Sequence, residues 1–229
     1  MDSSEKDSKR SEPAAAQPGY TQARGRARRR HLLDAAREIL NEKSIGDVSL
    51  QEISDHAKIP ISSAYHFYGN KNSVFAALAV DLGNELADVL ASPLPADDVG
   101  CWEDIIDIAI DRSANWYAEN PSARQLLIGG KASPEIKLSD RVNDERLGKI
   151  IEVAIAENFV LPEFVNRREK FFYFIEIADL MMSLSEIYHG EIREEMVTEA
   201  KIACKSYLGS FLPKYLNRVE AAPESGSLA

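Results

Sequence analysis

The chain has 229 residues, of which 45% are apolar, and its formal net charge is −10. This apolar content is enough for one or two globular domains with buried cores. No apolar run approaches the roughly 18 to 20 residues of a membrane-spanning helix, and residues 1–19 lack the apolar core of a signal peptide. We therefore expect a cytoplasmic protein that does not associate with membranes.

The charge is divided unevenly along the chain. Residues 1–75 contain 12 Lys and Arg against 10 Asp and Glu, whereas residues 76–229 contain 15 against 27. Five arginines and no acidic residue lie within residues 20–31. A basic N-terminal part on an acidic body is typical of a protein that contacts phosphate at one end only.

Catalytic and metal-binding signals are absent from the sequence. Cys101 and Cys204 lie far apart and have no Cys or His neighbours at ligand spacing, which argues against a disulfide framework and against a zinc site. We also find no pairing of nucleophile with base and no glycine-rich phosphate loop. The sequence therefore predicts neither an enzyme nor a bound cofactor or metal.

The N-terminal third predicts a tail followed by four helices. Residues 1–19 contain little that can be buried, so we expect them to be disordered. Apolar residues at spacings of three and four begin after Arg24 and predict a helix of about five turns that ends near Lys43 to Gly46. Two short helices follow, at 50–57 and 61–67, and Pro60 marks the break between them. A fourth helix is predicted from residue 71 or 72 to residue 90.

The rest of the chain also reads as helical. A loop with two prolines at 92–100 is the best domain boundary. Beyond it, periodicity and breakers predict five helices, at 101–119, 121–129, 136–158, 163–189 and 191–217. The expected fold is all-α with about nine helices and no sheet. Its parts are a tail (1–19), an N-terminal helical domain (20–75) with a linking helix to residue 91, a larger C-terminal helical domain (100–217), and a second tail (218–229).

Residues 50–68, LQEISDHAKIPISSAYHFY, carry the most specific motif in the chain. A short apolar helix, a tight turn and a second helix that ends in Tyr-His-Phe-Tyr resemble the helix-turn-helix of the TetR family of transcriptional regulators. The resemblance extends over residues 28–75. Its counterparts in this motif are Ile53, Ser54, Ala57, Ile59, Ser62, Ser63, Tyr65, His66, Phe67, Tyr68, Asn70, Lys71 and Val74.

Three residues depart from the family's usual pattern. Lys58 stands where a turn glycine is usual, Pro60 where a serine is usual, and Ala64 where a leucine is usual. A non-glycine residue at the turn must adopt a positive φ, or the turn itself must differ. Lys58 is therefore the position that tests the predicted geometry.

The motif predicts which side chains contact DNA. Short side chains on the second helix of the motif suit base edges, and longer donors on its flanks suit phosphate. The resemblance implies phosphate contacts for Tyr65 and His66 and a DNA-binding extension for the arginine run. Lys71 lies at a helix N-terminus, which favours anions. The candidate residues are Arg24, Arg26, Arg28, Arg29, Arg30, Ser49, Gln51, Ile61, Ser62, Ser63, Tyr65, His66 and Lys71.

Other interpretations of these residues remain open. Phe67 and Tyr68 are expected to pack in the core, which is also an alternative for Tyr65. His66 is an ordinary surface residue in the alternative interpretation. The arginine run is then a solvated helix face or the end of the tail.

The last two helices carry wide apolar faces, which require cover from more than one side. The family usually pairs these helices with their symmetry mates in a four-helix interface, and a dimer suits a palindromic DNA site. A plain intramolecular core is the alternative. The candidate interface residues are Leu180, Leu184, Ile187, Met196, Ala200, Ala203, Tyr207 and Phe211.

The resemblance also implies a pocket for a small apolar effector within the C-terminal domain, although each candidate also suits a plain core. Glu176 and Asp179 raise the idea of a cationic ligand. Because a helical wheel places both on the polar arc of their helix, a solvated or salt-bridged face is preferred. The pocket candidates are Leu86, Trp102, Ile106, Trp116, Tyr117, Leu127, Phe159, Phe171, Phe174 and Met181.

The sequence therefore predicts a sequence-specific, dimeric, ligand-responsive repressor that binds a palindromic operator in double-stranded DNA. One alternative is a DNA-binding protein of the same kind whose C-terminal domain binds a protein partner. An α-helical enzyme or a carrier of apolar substrates is the third and weakest interpretation.

Overall fold

The N-terminal helices follow the local signals in the sequence closely. In a computed structural model that describes residues 18–219, α1 spans Pro18–Glu42, α2 Leu50–His56, α3 Ile61–Tyr68 and α4 Lys71–Leu90. Asn70 caps α4 by accepting a hydrogen bond from the Ser73 N–H at 2.9 Å. The predicted bounds of the two short helices, 50–57 and 61–67, are correct to within one residue.

Five further helices form the larger C-terminal domain. They are α5 (Trp102–Glu119), α6 (Pro121–Ala123), α7 (Pro134–Asn158), α8 (Arg167–His189) and α9 (Glu194–Leu208). α6 continues as a single wide π-helical turn, Arg124–Ile128. The nine helices and the absence of strands within residues 18–219 confirm the predicted all-α fold.

The last helix is shorter than predicted. We expected it to reach residue 217, but α9 ends at Leu208 and the chain then turns back over the domain. The Val160 N–H donates to the Asn217 carbonyl at 2.8 Å and the Val219 N–H donates to the Asn158 carbonyl at 3.1 Å. These bonds hold residues 217–219 against the C-terminal end of α7, so this part of the chain leaves the path of α9.

Both predicted tails overlap the ordered structure. α1 begins at Pro18, inside the first predicted tail, and Arg218 and Val219 of the second are bonded to the domain. The remainder of each predicted tail, 1–17 and 220–229, lies outside the described residues. α8 begins at Arg167 instead of residue 163, after Asn166 adopts a left-handed conformation with φ +57°.

A continuous apolar core joins the two parts of the molecule. In the N-terminal part it includes the fully buried Leu32, Leu40 and Ile53, and in the C-terminal domain it includes Trp102 and Phe174. α4 extends from the N-terminal helices into the larger domain, where it packs against α5 and α7. Among the helices of residues 18–219, none combines the length and the apolar character needed to cross a membrane.

Candidate nucleic-acid interface

The turn between α2 and α3 depends on one residue in an unusual conformation. Lys58 has φ +54°, so this lysine adopts the left-handed conformation usually given to glycine. The buried Ser54 hydroxyl donates to the Ile59 carbonyl across the turn. The first of the two alternatives for Lys58 therefore holds, and the turn keeps the expected shape.

α3 presents a polar outer face. Ser62, Tyr65 and His66 are exposed, and the Tyr65 side chain is 57% exposed. Ile61 and Ser63 are half-buried, and Ile61 packs against the core. Three of the five α3 candidates thus point to solvent, and Ile61 contributes mainly to the packing that holds the helix.

The two aromatic residues after this face lie between core and surface. Phe67 and Tyr68 are partly buried and pack against the core, as we expected for both. The Arg29 guanidinium lies 5.4 Å from the centre of the Phe67 ring. Burial raises the pKa of Tyr68 above its usual value. These contacts fix α3 against α1.

Ser49 and Gln51 begin the motif at the surface. The Ser49 hydroxyl caps α2 by accepting from the Glu52 N–H at 3.1 Å, and the Gln51 amide donates to Asp55 at 2.8 Å. Glu52 in turn binds Lys43, whose hydrogen bond lowers the pKa of the Glu52 carboxyl. Both candidates are exposed, so they are available to a DNA backbone beside α2.

Lys71 has a different environment from the one we expected. Its ammonium donates to the Val48 carbonyl at 2.8 Å and lies 3.4 Å from the carbonyls of Ile45 and Gly46. These carbonyls belong to the turn that leads into α2. We therefore assign Lys71 a positioning role and exclude it from the proposed DNA contacts.

The predicted arginine run forms the first half of α1. All five arginines, Arg24 to Arg30, are exposed on that helix. The Arg30 guanidinium lies 3.1 Å from Asp34 and 2.7 Å from Asp81, so two carboxylates already neutralise it. Arg26 and Arg28 are the members of this run that we expect to face phosphate.

Gln125, which sequence reasoning did not select, joins the C-terminal domain to the end of α1. Its amide nitrogen donates to the carbonyls of Leu40 at 2.6 Å and Lys43 at 2.8 Å. Its amide oxygen accepts from the Ile45 N–H at 2.7 Å. One side chain thus satisfies three backbone groups of the DNA-binding domain.

The neighbouring residue of the π-helical turn, Arg124, contacts a different helix. Arg124 forms an ion pair with Glu186 of α8 at 2.9 Å, with side-chain exposures of only 16% and 17%. Arg124 therefore binds α8, while the adjacent Gln125 binds the end of α1. No periodicity in the sequence distinguishes these residues, because their partners are more than 50 positions away.

The predicted effector pocket is largely filled. Only Leu86 and Phe174 of the candidates line the small core cavity, whose volume of about 20 Å³ suits about one water molecule. The other candidates pack elsewhere in the C-terminal domain. They are Trp102, Ile106, Trp116, Tyr117, Leu127, Phe159 and Phe171, all buried, and Met181, which is half-buried.

A larger groove lies where the two domains meet. It has a volume of about 810 Å³ and lies between the end of α1, α6 and the end of α8. Arg124, Gln125, Glu186 and Ile187 line it. A molecule in this groove contacts both domains at once.

The predicted dimer face is only partly available. Leu180 and Ile187 are exposed by 54% and 55%, whereas Ala200 is completely buried in its own domain. The assignment of Ala200 to an interface was therefore wrong, because the inner side of α9 packs against its own core. The remaining candidates, all half-buried, are Leu184, Met196, Ala203, Tyr207 and Phe211.

The two acidic residues of α8 differ in their surroundings. Glu176 pairs with Arg141 at 2.9 Å, as a salt-bridged face requires. Asp179 forms no ion pair with a described residue, and its carboxylate faces Asp140 and Asp144 of α7. The expectation of a solvated or salt-bridged face is correct for Glu176 and wrong for Asp179.

Two family patterns match this chain. Residues 32–78 match "Bacterial regulatory proteins, tetR family", and residues 100–212 match "Tetracyclin repressor-like, C-terminal domain". Together the two matches cover the helix-turn-helix and most of the C-terminal domain.

Individual proteins agree with this assignment. The chain is 29% identical over 84 residues to the HTH-type transcriptional regulator BetI of Escherichia coli, a match that covers 37% of this chain and 43% of that protein. A TetR-family regulator from Streptomyces coelicolor shares the fold with a TM-score of 0.63 and 23% identity, covering 81% of this chain and 99% of that one. The multidrug binding protein EbrR complexed with imidazole shares it with a TM-score of 0.59 and 15% identity, covering 85% and 97%.

The described fold, the exposed face of α3 and both family patterns lead to one assignment. Members of this family are regulators and not enzymes. The chain belongs to the TetR family of DNA-binding transcriptional regulators.

Proposed function

We propose that the protein is a homodimeric, ligand-responsive repressor of a palindromic DNA operator. The observation that carries this proposal is the outer face of α3, where Ser62, Tyr65 and His66 are all exposed. Short hydroxyl side chains suit base edges, and longer donors at the following turn suit phosphate. Arg26 and Arg28, exposed on α1, add positive charge in the same domain.

The apolar surface of α8 supports the proposed dimer. Leu180 and Ile187 lie about two turns apart and are each more than half exposed. A two-fold contact between two copies buries this apolar face on each of them, and it places the two α3 helices symmetrically. Helices separated by about 34 Å meet successive major grooves, and the operator is then a palindrome.

The effector is proposed to act at the junction groove. Ligand sites in proteins typically have volumes of roughly 300 to 1,000 Å³, which fits the groove of about 810 Å³ and not the core cavity of about 20 Å³. EbrR, a protein of similar fold, is described as a multidrug binding protein. A small molecule between Ile187 and Gln125 changes the position of α1 relative to α8, and it thereby changes the spacing of the two α3 helices.

Selection of binding sites from a pool of random DNA duplexes tests the operator claim. We expect an enriched palindrome whose affinity falls steeply with salt concentration. Tyr65→Phe should weaken binding to the enriched site about tenfold, whereas the matched change Tyr188→Phe, at another exposed tyrosine, should have no effect. Failure to enrich any sequence would overturn the proposal, and an enriched site without two-fold symmetry would overturn its dimeric form.

Release of the selected DNA tests the effector claim. A panel of small apolar and aromatic compounds is screened for loss of DNA binding, and each active compound is retested on Lys131→Trp, a change at an exposed groove residue outside the proposed dimer face that fills the groove. We expect the active compounds to lose their effect on this variant while its DNA affinity stays unchanged. Unaltered release from the variant would exclude the groove as the effector site.

A further inference from the structure

Three carboxylates meet inside the C-terminal domain. Asp140 and Asp144 lie one turn apart on α7, and Asp179 faces them from α8. One oxygen of each carboxylate lies within 4.8 Å of the others. Asp140 is 8% exposed and Asp144 only 3% exposed, whereas Asp179 is half-buried. Bulk water therefore does little to reduce the repulsion between Asp140 and Asp144.

The two helices approach closely beside this cluster. A Cβ atom on Gly148 of α7 would lie 2.8 Å from the backbone carbonyl of Phe171 on α8, which is too close for any side chain. Gly148 lies one turn beyond Asp144, on the same face of α7. The absence of a side chain at this position is therefore what allows the acidic residues of the two helices to meet.

The cluster has no neutralising partner among the described side chains. Neither a hydrogen bond nor an ion pair joins a described donor to any of the three carboxylates. The two nearest cations are already engaged, because the Lys137 ammonium donates to the Leu127 carbonyl and Arg141 pairs with Glu176. Burial and the charges of Asp179 and Asp140 raise the pKa of Asp144 to about 10, and burial and the charge of Glu176 raise that of Asp140 to about 7.

A buried tyrosine supplies an independent sign of a ligand. The Tyr117 side chain is 1% exposed, and its hydroxyl has no hydrogen-bond partner among the described residues. This hydroxyl lies near enough to the cluster that Asp179, Asp140 and Asp144 each raise its pKa, in addition to the effect of burial. Burial of a hydroxyl without a hydrogen-bond partner costs free energy, so we expect a ligand that contacts the oxygen of Tyr117.

Glu176 adds a second unsatisfied oxygen near the same place. Its Oε1 atom is buried and has no hydrogen-bond partner, although its other oxygen pairs with Arg141. The charge of Glu176 also raises the pKa values of Asp140 and Asp144. The region thus contains acceptor oxygens in excess of donors.

We propose that Asp140, Asp144 and Asp179 form a binding site for one divalent metal ion, with the Tyr117 hydroxyl beside it. Carboxylate and hydroxyl oxygens select hard cations such as Ca²⁺, Mn²⁺ or Mg²⁺. Oxygens on opposite sides of a Ca²⁺ ion lie about 5 Å apart, and the observed limit of 4.8 Å fits this separation. Asp179 also lines a cavity of about 20 Å³, which is too small for an organic amine.

Metal titration of the full chain tests this site. The protein is treated with a chelator, dialysed, and titrated separately with Ca²⁺, Mn²⁺ and Mg²⁺ by calorimetry, and its melting temperature is followed in parallel. We expect one ion bound per chain and a melting temperature that rises with ion concentration. The absence of saturable binding of all three ions at millimolar concentration would overturn the proposal.

Matched variants assign the ion to this cluster. Asp144→Asn should weaken binding at least tenfold and abolish the rise in melting temperature, and Glu157→Gln, an exposed charge change on the same helix, should alter neither. In chelator, the melting temperature of Asp144→Asn should not fall below that of the natural chain, because asparagine has nearly the same shape and, like the protonated carboxyl, carries no charge. Asp179→Asn serves as the second variant if Asp144→Asn does not fold.

Ion binding that is equal in the variants and the natural chain would identify surface acids as the site and overturn the proposal. Every measurement is made without DNA. Its result is therefore independent of the operator and effector claims.

Discussion

The Arg37 guanidinium of α1 donates two hydrogen bonds to the Glu85 carboxylate of α4, at 2.6 and 2.9 Å. The same guanidinium donates to the Asn120 side chain at the end of α5, at 2.8 Å. Paired bonds of this kind fix orientation as well as distance. Arg37 therefore ties the DNA-binding helices to the end of α5 in the larger domain.

We expect Glu85→Gln to lower the free energy of unfolding by about 1 kcal/mol, because the pair is two-thirds buried and bidentate. Urea unfolding measures the loss. Glu145→Gln breaks the exposed pair with Arg168 and should cost less than about 0.5 kcal/mol. Equal losses in the two variants would show that Glu85 has no special role.

Replacement of Lys58 by glycine should stabilise the protein. The positive φ of +54° costs a lysine roughly 1 kcal/mol, and the exposed side chain loses no packing when it is removed. We expect a gain of about 0.5 to 1 kcal/mol in thermal or urea unfolding. Lys58→Ala retains the Cβ atom and should give no gain, so equal stabilisation by both changes would contradict the conformational explanation.

The arginines of α1 should differ in their contribution to DNA affinity. Arg26→Ala should weaken binding and reduce the magnitude of the slope of log affinity against log salt by about 1, as expected for one lost phosphate contact. Arg30→Ala should change that slope less, because Asp34 and Asp81 already bind Arg30. Fluorescence anisotropy on the selected palindrome at several salt concentrations measures both. A larger slope change for Arg30 would reverse our assignment.

Charges on the apolar face of α8 should separate the dimer. The double change of Leu180→Glu with Ile187→Glu places two like charges on each copy of the proposed interface. Sedimentation velocity should then detect a monomer, and affinity for the palindrome should fall at least tenfold. Val165→Glu, at a side chain that is 82% exposed outside this face, is the control and should remain dimeric. A dimer that survives the double change would exclude this face.

The DNA-binding half was predictable because its signals are local. The apolar spacing of α1, the break at Pro60 and the motif from Leu50 to Tyr68 each concern neighbouring residues. The bounds of α2 and α3 were predicted to within one residue, whereas α1 begins earlier than predicted, at Pro18. The same motif singled out Lys58 as a residue that needs either a positive φ or a different turn, and the structure has the positive φ. The motif did not indicate the contacts of Lys71, because its carbonyl partners lie more than 20 positions earlier in the chain.

The larger domain was less predictable because tertiary contacts override its periodicity. Phe211 continues the apolar pattern of α9, but the bonds of Asn217 and Val219 to the end of α7 reverse the chain before that residue can extend the helix. A helical wheel put Asp179 on a polar arc and did not reveal that two more acids approach from α7. The helical wheel of the last helix likewise placed Ala200 on an apolar face, but it did not indicate which helix covers that face.

The contacts of Gln125 also bear on how such regulators can be recombined. The proline-containing loop at 92–100 is the obvious junction for joining this DNA-binding domain to a foreign body. A chimera that is cut there keeps α1 to α4 but loses Gln125, whose side chain binds the backbone of Leu40, Lys43 and Ile45. Its DNA-binding domain would fold but would lose its connection to the new body. A functional transplant must therefore carry Asn120, Ser122 and Gln125 with the domain they support, even though these residues follow the junction in sequence.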